Sequence, residues 1–239
     1  MPVALVTGAN TGIGRAIAER LLRDGYALGY ATHEQDEQGA KELGDLGDVL
    51  NVWGDLAEAS VPPRLVEDTV GRFGRLDVLV NNAGLSTAKP ALELTVEDFD
   101  ETFDVDVRAA FLASQAAARA MDEGGVIVNI TSVHEHVPRP GFAVYAPAKA
   151  ALGMLTRSLA LELAPKIRVV AVAPGAIATE RNEEADELAA EIPLGRPGEP
   201  EEVAAAVAWL VSDEARYVSG ASILIDGAMA QQVVDQPAD

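Results

Sequence analysis

Tyr145 and Lys149 stand four residues apart at what reads as the entrance of a long helix. Residues at i and i+4 share one helix face, so the ammonium can sit close to the phenol. A nearby cation favours phenolate over phenol and lowers a tyrosine's pKa, which is what the residue needs to act as acid or base near neutral pH. Pro147 falls between them and is tolerable only in a first helical turn, because it has no N–H to give. That ties the pair to a helix N-terminus facing a cleft. Ser132 precedes the tyrosine by thirteen residues, after the largely apolar run 126–130, and adds a hydroxyl. Tyr-x-x-x-Lys alone also describes two residues on a helix surface. The elements around it decide between the readings.

Those elements alternate. Val3 to Val6 is a short apolar strand that ends in Thr7-Gly8-Ala9-Asn10-Thr11-Gly12-Ile13-Gly14, and an amphipathic helix follows from Arg15 to Arg23. Strand, glycine-rich turn and helix in that order cradle a phosphate: glycines let the backbone approach, and the helix N-terminus offers free N–H groups and a positive dipole end. Further strands are expected at Ala27–Ala31, Val49–Trp53, Leu76–Val80, Val126–Ile130, Arg168–Ala173 and Ser222–Ile225. Helices are expected at about Pro62–Phe73, Val96–Phe103, Val107–Met121 and Glu201–Leu210, besides the one entered at Tyr145. This alternation predicts an α/β fold: a Rossmann-type, doubly wound parallel sheet with helices on both faces. No repeat or linker divides the chain, so residues 1–239 read as a single domain.

Ligands of such sheets bind at the C-terminal ends of the strands, where Asn81-Asn82-Ala83-Gly84 closes one run. An acidic side chain after the second strand selects NAD by binding its ribose hydroxyl. Here that strand ends at Ala31-Thr32-His33. Thr32 and His33 can accommodate a 2′-phosphate, which favours NADP over NAD, although no arginine stands among residues 31–36.

Composition narrows the classes further. A formal net charge of −20 repels nucleic-acid phosphates and anionic membranes. The absence of cysteine removes disulfide and thiolate chemistry and fits a cytoplasmic protein. Met1-Pro2 runs straight into the first strand without a basic leader, and no apolar stretch has the length of a membrane span.

In these marks the chain resembles the short-chain dehydrogenase/reductase family over essentially its whole length: TGANTGIG at 7–14, NNAG at 81–84, the Ser132/Tyr145/Lys149 spacing and PGAIAT at 174–179. The resemblance implies an NAD(P)-dependent oxidoreductase that interconverts an alcohol and a carbonyl. Tyr145 would be the acid/base, Lys149 its activator and the holder of the nicotinamide ribose, and Ser132 a hydrogen-bond partner of the reacting oxygen. Gly8, Asn10, Thr11, Gly12, Ile13 and Gly14 match the pyrophosphate turn, and Asp55 and Leu56 the adenine site. Asn82, Ala83 and Gly84 match the floor of the cofactor groove, and Pro174, Gly175, Ile177 and Thr179 the segment that meets the nicotinamide amide. The protein supplies orientation and proton transfer, so no metal is implied.

Residues 126–239 look most like glucose 1-dehydrogenases, with His134 facing the substrate beside Ser132 and Tyr145. The 3-oxoacyl-carrier-protein reductases are the next resemblance, and a cofactor-binding regulator without turnover is the reading from another class. A lid over the substrate at about 180–200 and a homotetramer also follow from the family. Asp106 departs from it, since an asparagine is usual there; its backbone carbonyl can keep the family role while its charge adds a new element near Lys149.

Rival chemistries find less support. Ser132 lies outside a G-x-S-x-G elbow, which argues against a hydrolase. His134 and His136 alternate, but with three histidines and no cysteine they read as loop residues rather than metal ligands. The acidic run at 180–191 reads as a solvated face. The alanine-rich stretch 107–121 suits a closely packed helix, here expected at a subunit contact.

Overall fold

The computed structural model of the protein describes residues 1–180 and 185–231. Seven strands form one parallel sheet: β1 Val3–Thr7, β2 Ala27–Thr32, β3 Val49–Trp53, β4 Val78–Asn81, β5 Gly125–Ile130, β6 Ile167–Pro174 and β7 Ser222–Ile225. They lie in the order β3-β2-β1-β4-β5-β6-β7. The sheet therefore reverses direction of winding between β1 and β4, and this switch point opens a crevice above the strand ends. The single-domain Rossmann-type reading holds.

The strands explain themselves by burial. β1, β4, β5 and β6 are near-continuous apolar runs because helices cover both faces. On one face α1 (Gly12–Arg23), α2 (Glu37–Gly44) and α7 (Pro200–Val211) pack, with Ile17, Leu21, Val203 and Val207 in the core. On the other lie α3 (Val61–Phe73), α5 (Ala109–Ala120) and α6 (Tyr145–Glu162), with Leu65, Ala113, Ala117 and Ala160 buried against the sheet. The helix α2 was not anticipated; it buries only Gly39 and Leu43, too little apolar surface to mark it in the sequence. The small residues of α5 bring it close to α3 within the same chain.

Helix starts follow local chemistry. Pro62 and Pro63 occupy the first turn of α3, where their missing N–H groups cost nothing, and Gly74 ends it in the left-handed region at φ 77°. α4 (Val96–Phe103) is entered through a reciprocal pair of bonds between Thr95 and Asp98. Residues 96–121 were expected as two separate helices. Instead α4 runs into α5 through a π-helical turn, Asp104–Arg108, without a break. That wider turn turns Asp106 inward, where it is buried. No helix among the described residues is long and apolar enough to cross a membrane.

Candidate active site

A cleft of about 940 Å³ runs along the strand ends over the switch point. Every residue anticipated as a site residue lines it: Gly8 and Asn10 to Gly14 of the turn, then Thr32, Asp55, Leu56, Asn82 to Gly84, Ser132, His134, Tyr145, Lys149, Pro174, Gly175, Ile177 and Thr179. Three parts can be distinguished.

The glycine turn forms the first. Gly8 and Gly12 take positive φ values of 63° and 55°, open to glycine without strain. Gly14 is required for another reason: a Cβ there would stand 2.2 Å from the Gly8 carbonyl oxygen and 2.4 Å from Asn82 Nδ2. The turn is tied to the neighbouring strand. Asn82 Nδ2 donates to the carbonyls of Thr7 and Gly8 at 2.9 and 3.1 Å, while Thr7 Oγ1 accepts from the amides of Asn82 and Ala83. Thr11, at the N-cap of α1, makes no side-chain capping bond. The first-turn amides are therefore available to an anion, as a dinucleotide pyrophosphate requires. The cleft thus fits the cofactor that the sequence implies.

The second part is the far end of β2. Thr32 Oγ1 donates to the Glu34 carbonyl at 2.5 Å and accepts from Asn51 Nδ2 at 2.9 Å, so its hydroxyl is engaged within the protein. His33 beside it is exposed. Asp55 spends one carboxylate oxygen on the Ala57 amide at 2.8 Å, shaping the turn that presents Leu56.

The third part carries the chemistry. Ser132 follows β5 and is buried; its Oγ accepts from the His134 amide at 3.2 Å, opening a short 3₁₀ turn, Val133–Glu135. Tyr145 is the first residue of α6, with Pro147 in the first turn as expected. One turn on, Lys149 is 3 % exposed, with its Nζ 5.5 Å from the Tyr145 ring centre. The ammonium donates to the Ile130 carbonyl at 3.3 Å and pairs with Asp106 Oδ2 at 3.0 Å. Burial pulls the Lys149 pKa down, but the Asp106 carboxylate and Tyr145 outweigh it and hold it above its ordinary value. Gly84 leaves the ammonium its space, since a Cβ there would meet Nζ at 2.9 Å.

The wall opposite the glycine turn is aromatic. His134 stacks on Phe142 at 4.9 Å between ring centres and meets Tyr145 edge-on at 6.1 Å. His134 Nδ1 lies 3.0 Å from the Val137 carbonyl, which can only accept, so Nδ1 carries the proton. Burial pushes the imidazole pKa below its ordinary value, against the pull of that hydrogen bond. His136 goes elsewhere, towards Glu135 and Ser222. Glu101, Arg139, Phe142, Leu188 and Met229 also line the cleft, Phe142 beside His134 and Tyr145, and were not foreseen. They come from four separate segments with no shared motif, and only the fold assembles them. Residues 181–184 of the expected lid lie outside the described residues.

This arrangement holds a phenol, an ammonium and a hydroxyl around one end of a dinucleotide-shaped cleft, which defines a nicotinamide-dependent oxidoreductase. A family model described as enoyl-(acyl carrier protein) reductase matches residues 8–230. The chain belongs to the short-chain dehydrogenase/reductase family of oxidoreductases. It is 43 % identical to the uncharacterized oxidoreductase YohF of Escherichia coli, covering 94 % of each chain. It is 40 % identical to glucose 1-dehydrogenase 2 of Bacillus subtilis, over 95 % of this chain and 93 % of the relative. Among solved structures, a short-chain dehydrogenase from Burkholderia cenocepacia in complex with NADP superposes with a TM-score of 0.91. The two are 37 % identical, over 97 % of this chain and 98 % of that one.

Proposed function

We propose that the protein interconverts an alcohol and a carbonyl on a sugar, in the manner of a glucose 1-dehydrogenase, using NADP in preference to NAD. The carrying observation is the convergence of Ser132, Tyr145 and Lys149 at the end of a cleft whose other end is the glycine turn. The cofactor, when bound, gives or takes the hydride. The Tyr145 hydroxyl gives or takes the proton at the substrate oxygen, Lys149 stabilises the phenolate form, and the Ser132 hydroxyl orients that oxygen. Gly8 to Gly14 would hold the pyrophosphate, the exposed His33 the 2′-phosphate, with the Thr32 hydroxyl donating to the Glu34 carbonyl rather than to the ligand, and Asp55 and Leu56 the adenine. Asn82 to Gly84 would form the groove floor, and Pro174, Gly175, Ile177 and Thr179 would meet the nicotinamide.

The sugar reading draws on the glucose-dehydrogenase relative and on the polar groups Glu101, His134 and Arg139 that line the cleft. Phe142 beside Tyr145, with Leu188 and Met229 elsewhere in the lining, favours a second reading, reduction of a 3-oxoacyl ester or similar ketone. The segment at about 180–200 would act as the lid, and the active form would be a cytoplasmic homotetramer.

The test follows the near-ultraviolet absorbance of reduced nicotinamide with NADP or NAD and a panel of sugars, ketones and 3-oxoacyl esters. Turnover of glucose with NADP, reduced about 10²–10⁴-fold in Y145F, is the expected result. Activity confined to 3-oxoacyl esters would transfer the protein to the reductase reading. Cofactor binding without turnover on any substrate would overturn the enzyme assignment.

A further inference from the structure

Asp106 is a buried carboxylate with no role in the proton transfer just described. It is 1 % exposed, presented by the π-helical turn between α4 and α5. Its two oxygens do different things. Oδ1 accepts from the Leu85 amide at 2.7 Å, next to Gly84 on the cofactor floor. Oδ2 pairs with Lys149 Nζ at 3.0 Å. A single side chain thereby joins the end of β4 to the ammonium beside Tyr145.

We propose that Asp106 is a positioning residue that acts through Lys149. It fixes the ammonium between the cofactor floor and the Ile130 carbonyl, and its negative charge keeps the Lys149–Tyr145 pair fully protonated to higher pH. Oxidation of an alcohol, which must deliver its proton to that pair, then sets in at more alkaline pH than the pair alone would need; reduction, which draws on the proton, stays fast over a wider range.

The electrostatics run one way. Lys149 Nζ lies 5.5 Å from the Tyr145 ring centre, so a charge placed beside the ammonium acts on the two groups as one unit. Removing a negative charge from beside the unit eases loss of its first proton, whichever member gives it up. Other charged groups near the cleft are less direct. Glu101 on α4, Arg139 and His134 from the segment after β5, and Glu180 after β6 line its walls. Glu135 lies against Gly153, two turns along α6 from Tyr145. Among the described residues, only Asp106 forms an ion pair with the ammonium.

The inference rests on the oxidoreductase reading, and the experiment separates the two. Purified wild type and D106N are titrated by tyrosinate difference absorbance, each against its Y145F counterpart, without substrate. The pH–rate profiles of oxidation and reduction are then measured with whichever panel substrate turns over. D106N keeps an acceptor oxygen for the Leu85 amide and removes the charge; D106S is the second neutral variant should D106N not fold. Retained NADPH fluorescence on binding reports an intact groove.

The expected result is an oxidative limb about one pH unit lower in the neutral variants, with the pair's first proton released earlier in the substrate-free titration. D106E, which restores the charge, returns the limb towards wild type. Unchanged limbs and titrations in the neutral variants would overturn the role of Asp106 while leaving the enzyme assignment intact. Absence of turnover on any substrate sinks the oxidoreductase reading, and the substrate-free titration still decides whether Asp106 holds the proton.

Discussion

Substituting Gly14 with alanine tests whether the glycine turn is built as described. The added methyl would lie 2.2 Å from the Gly8 carbonyl oxygen and 2.4 Å from Asn82 Nδ2. Both distances are more than an ångström inside the ~3.5 Å at which non-bonded atoms attract. Both neighbours must move. Shifting the backbone costs about 1–3 kcal/mol of overpacking. Shifting Asn82 also gives up its bonds to the Thr7 and Gly8 carbonyls, at about 1 kcal/mol each. The two together cost about 3 kcal/mol or more and displace the turn that receives the pyrophosphate. Denaturant unfolding should show that loss, and NADPH fluorescence should show affinity weakened by about tenfold or more. G71A is the matched control: its methyl meets nothing within 4 Å in the last turn of α3 and should stabilise, by at most about 0.5–1 kcal/mol. Stability and cofactor affinity of G14A equal to wild type would refute the close approach of α1 to the end of β4.

Other outcomes follow from features away from the chemistry. Asn81 Nδ2 donates to Asn129 Oδ1 and Asn129 Nδ2 to Thr156 Oγ1, each at 2.8 Å in the buried core. T156V keeps the shape but strands the Asn129 amide, so it should cost about 1–3 kcal/mol in denaturant unfolding. Glu202 is held down at about 2 by the Arg196 guanidinium and by the Glu199 amide at the start of α7. A carboxyl with a depressed folded pKa contributes stability above its unfolded value, lost as pH falls towards the folded one. E202A should therefore destabilise at neutral pH and cease to do so as pH approaches about 2. Both side chains are about half exposed, which limits the loss to about 1 kcal/mol, read as the difference between unfolding curves at the two pH values.

Much of the fold was legible because parallel strands buried on both faces are apolar runs, and each expected strand lies within two residues of where it forms. The glycine turn, the asparagine junction and the Ser132, Tyr145 and Lys149 set were legible for a different reason: their chemistry demands residue types at fixed spacing. What was not legible depends on distance in space. The buried Glu135 reads as a surface residue after Ser132. In the fold it accepts from Ser222 Oγ at 2.8 Å, 87 positions away, in room left by Gly153. The nearness of Asp106 to Lys149 was legible only through the family resemblance, and its bond to the Leu85 amide was not legible at all, since Asp104, Asp106 and Arg108 in sequence resemble an ordinary exposed helical stretch. The aromatic contact of His134 with Phe142 depends on a loop that doubles back, which periodicity does not record.

The π-helical turn at Asp104–Arg108 has a consequence for how this chain can vary in length. Such a turn holds one residue more than an α-helical turn would. Deleting a single residue from it would let residues 96–120 close into one uninterrupted α-helix, a locally sound structure. It would leave the turns on either side in register but remove the bulge that carries residue 106 inward, and a carboxylate at that position would leave the ammonium. The stretch therefore resists shortening in a way that its exposed loops do not, and the count of residues there is as much a part of the site as their identity.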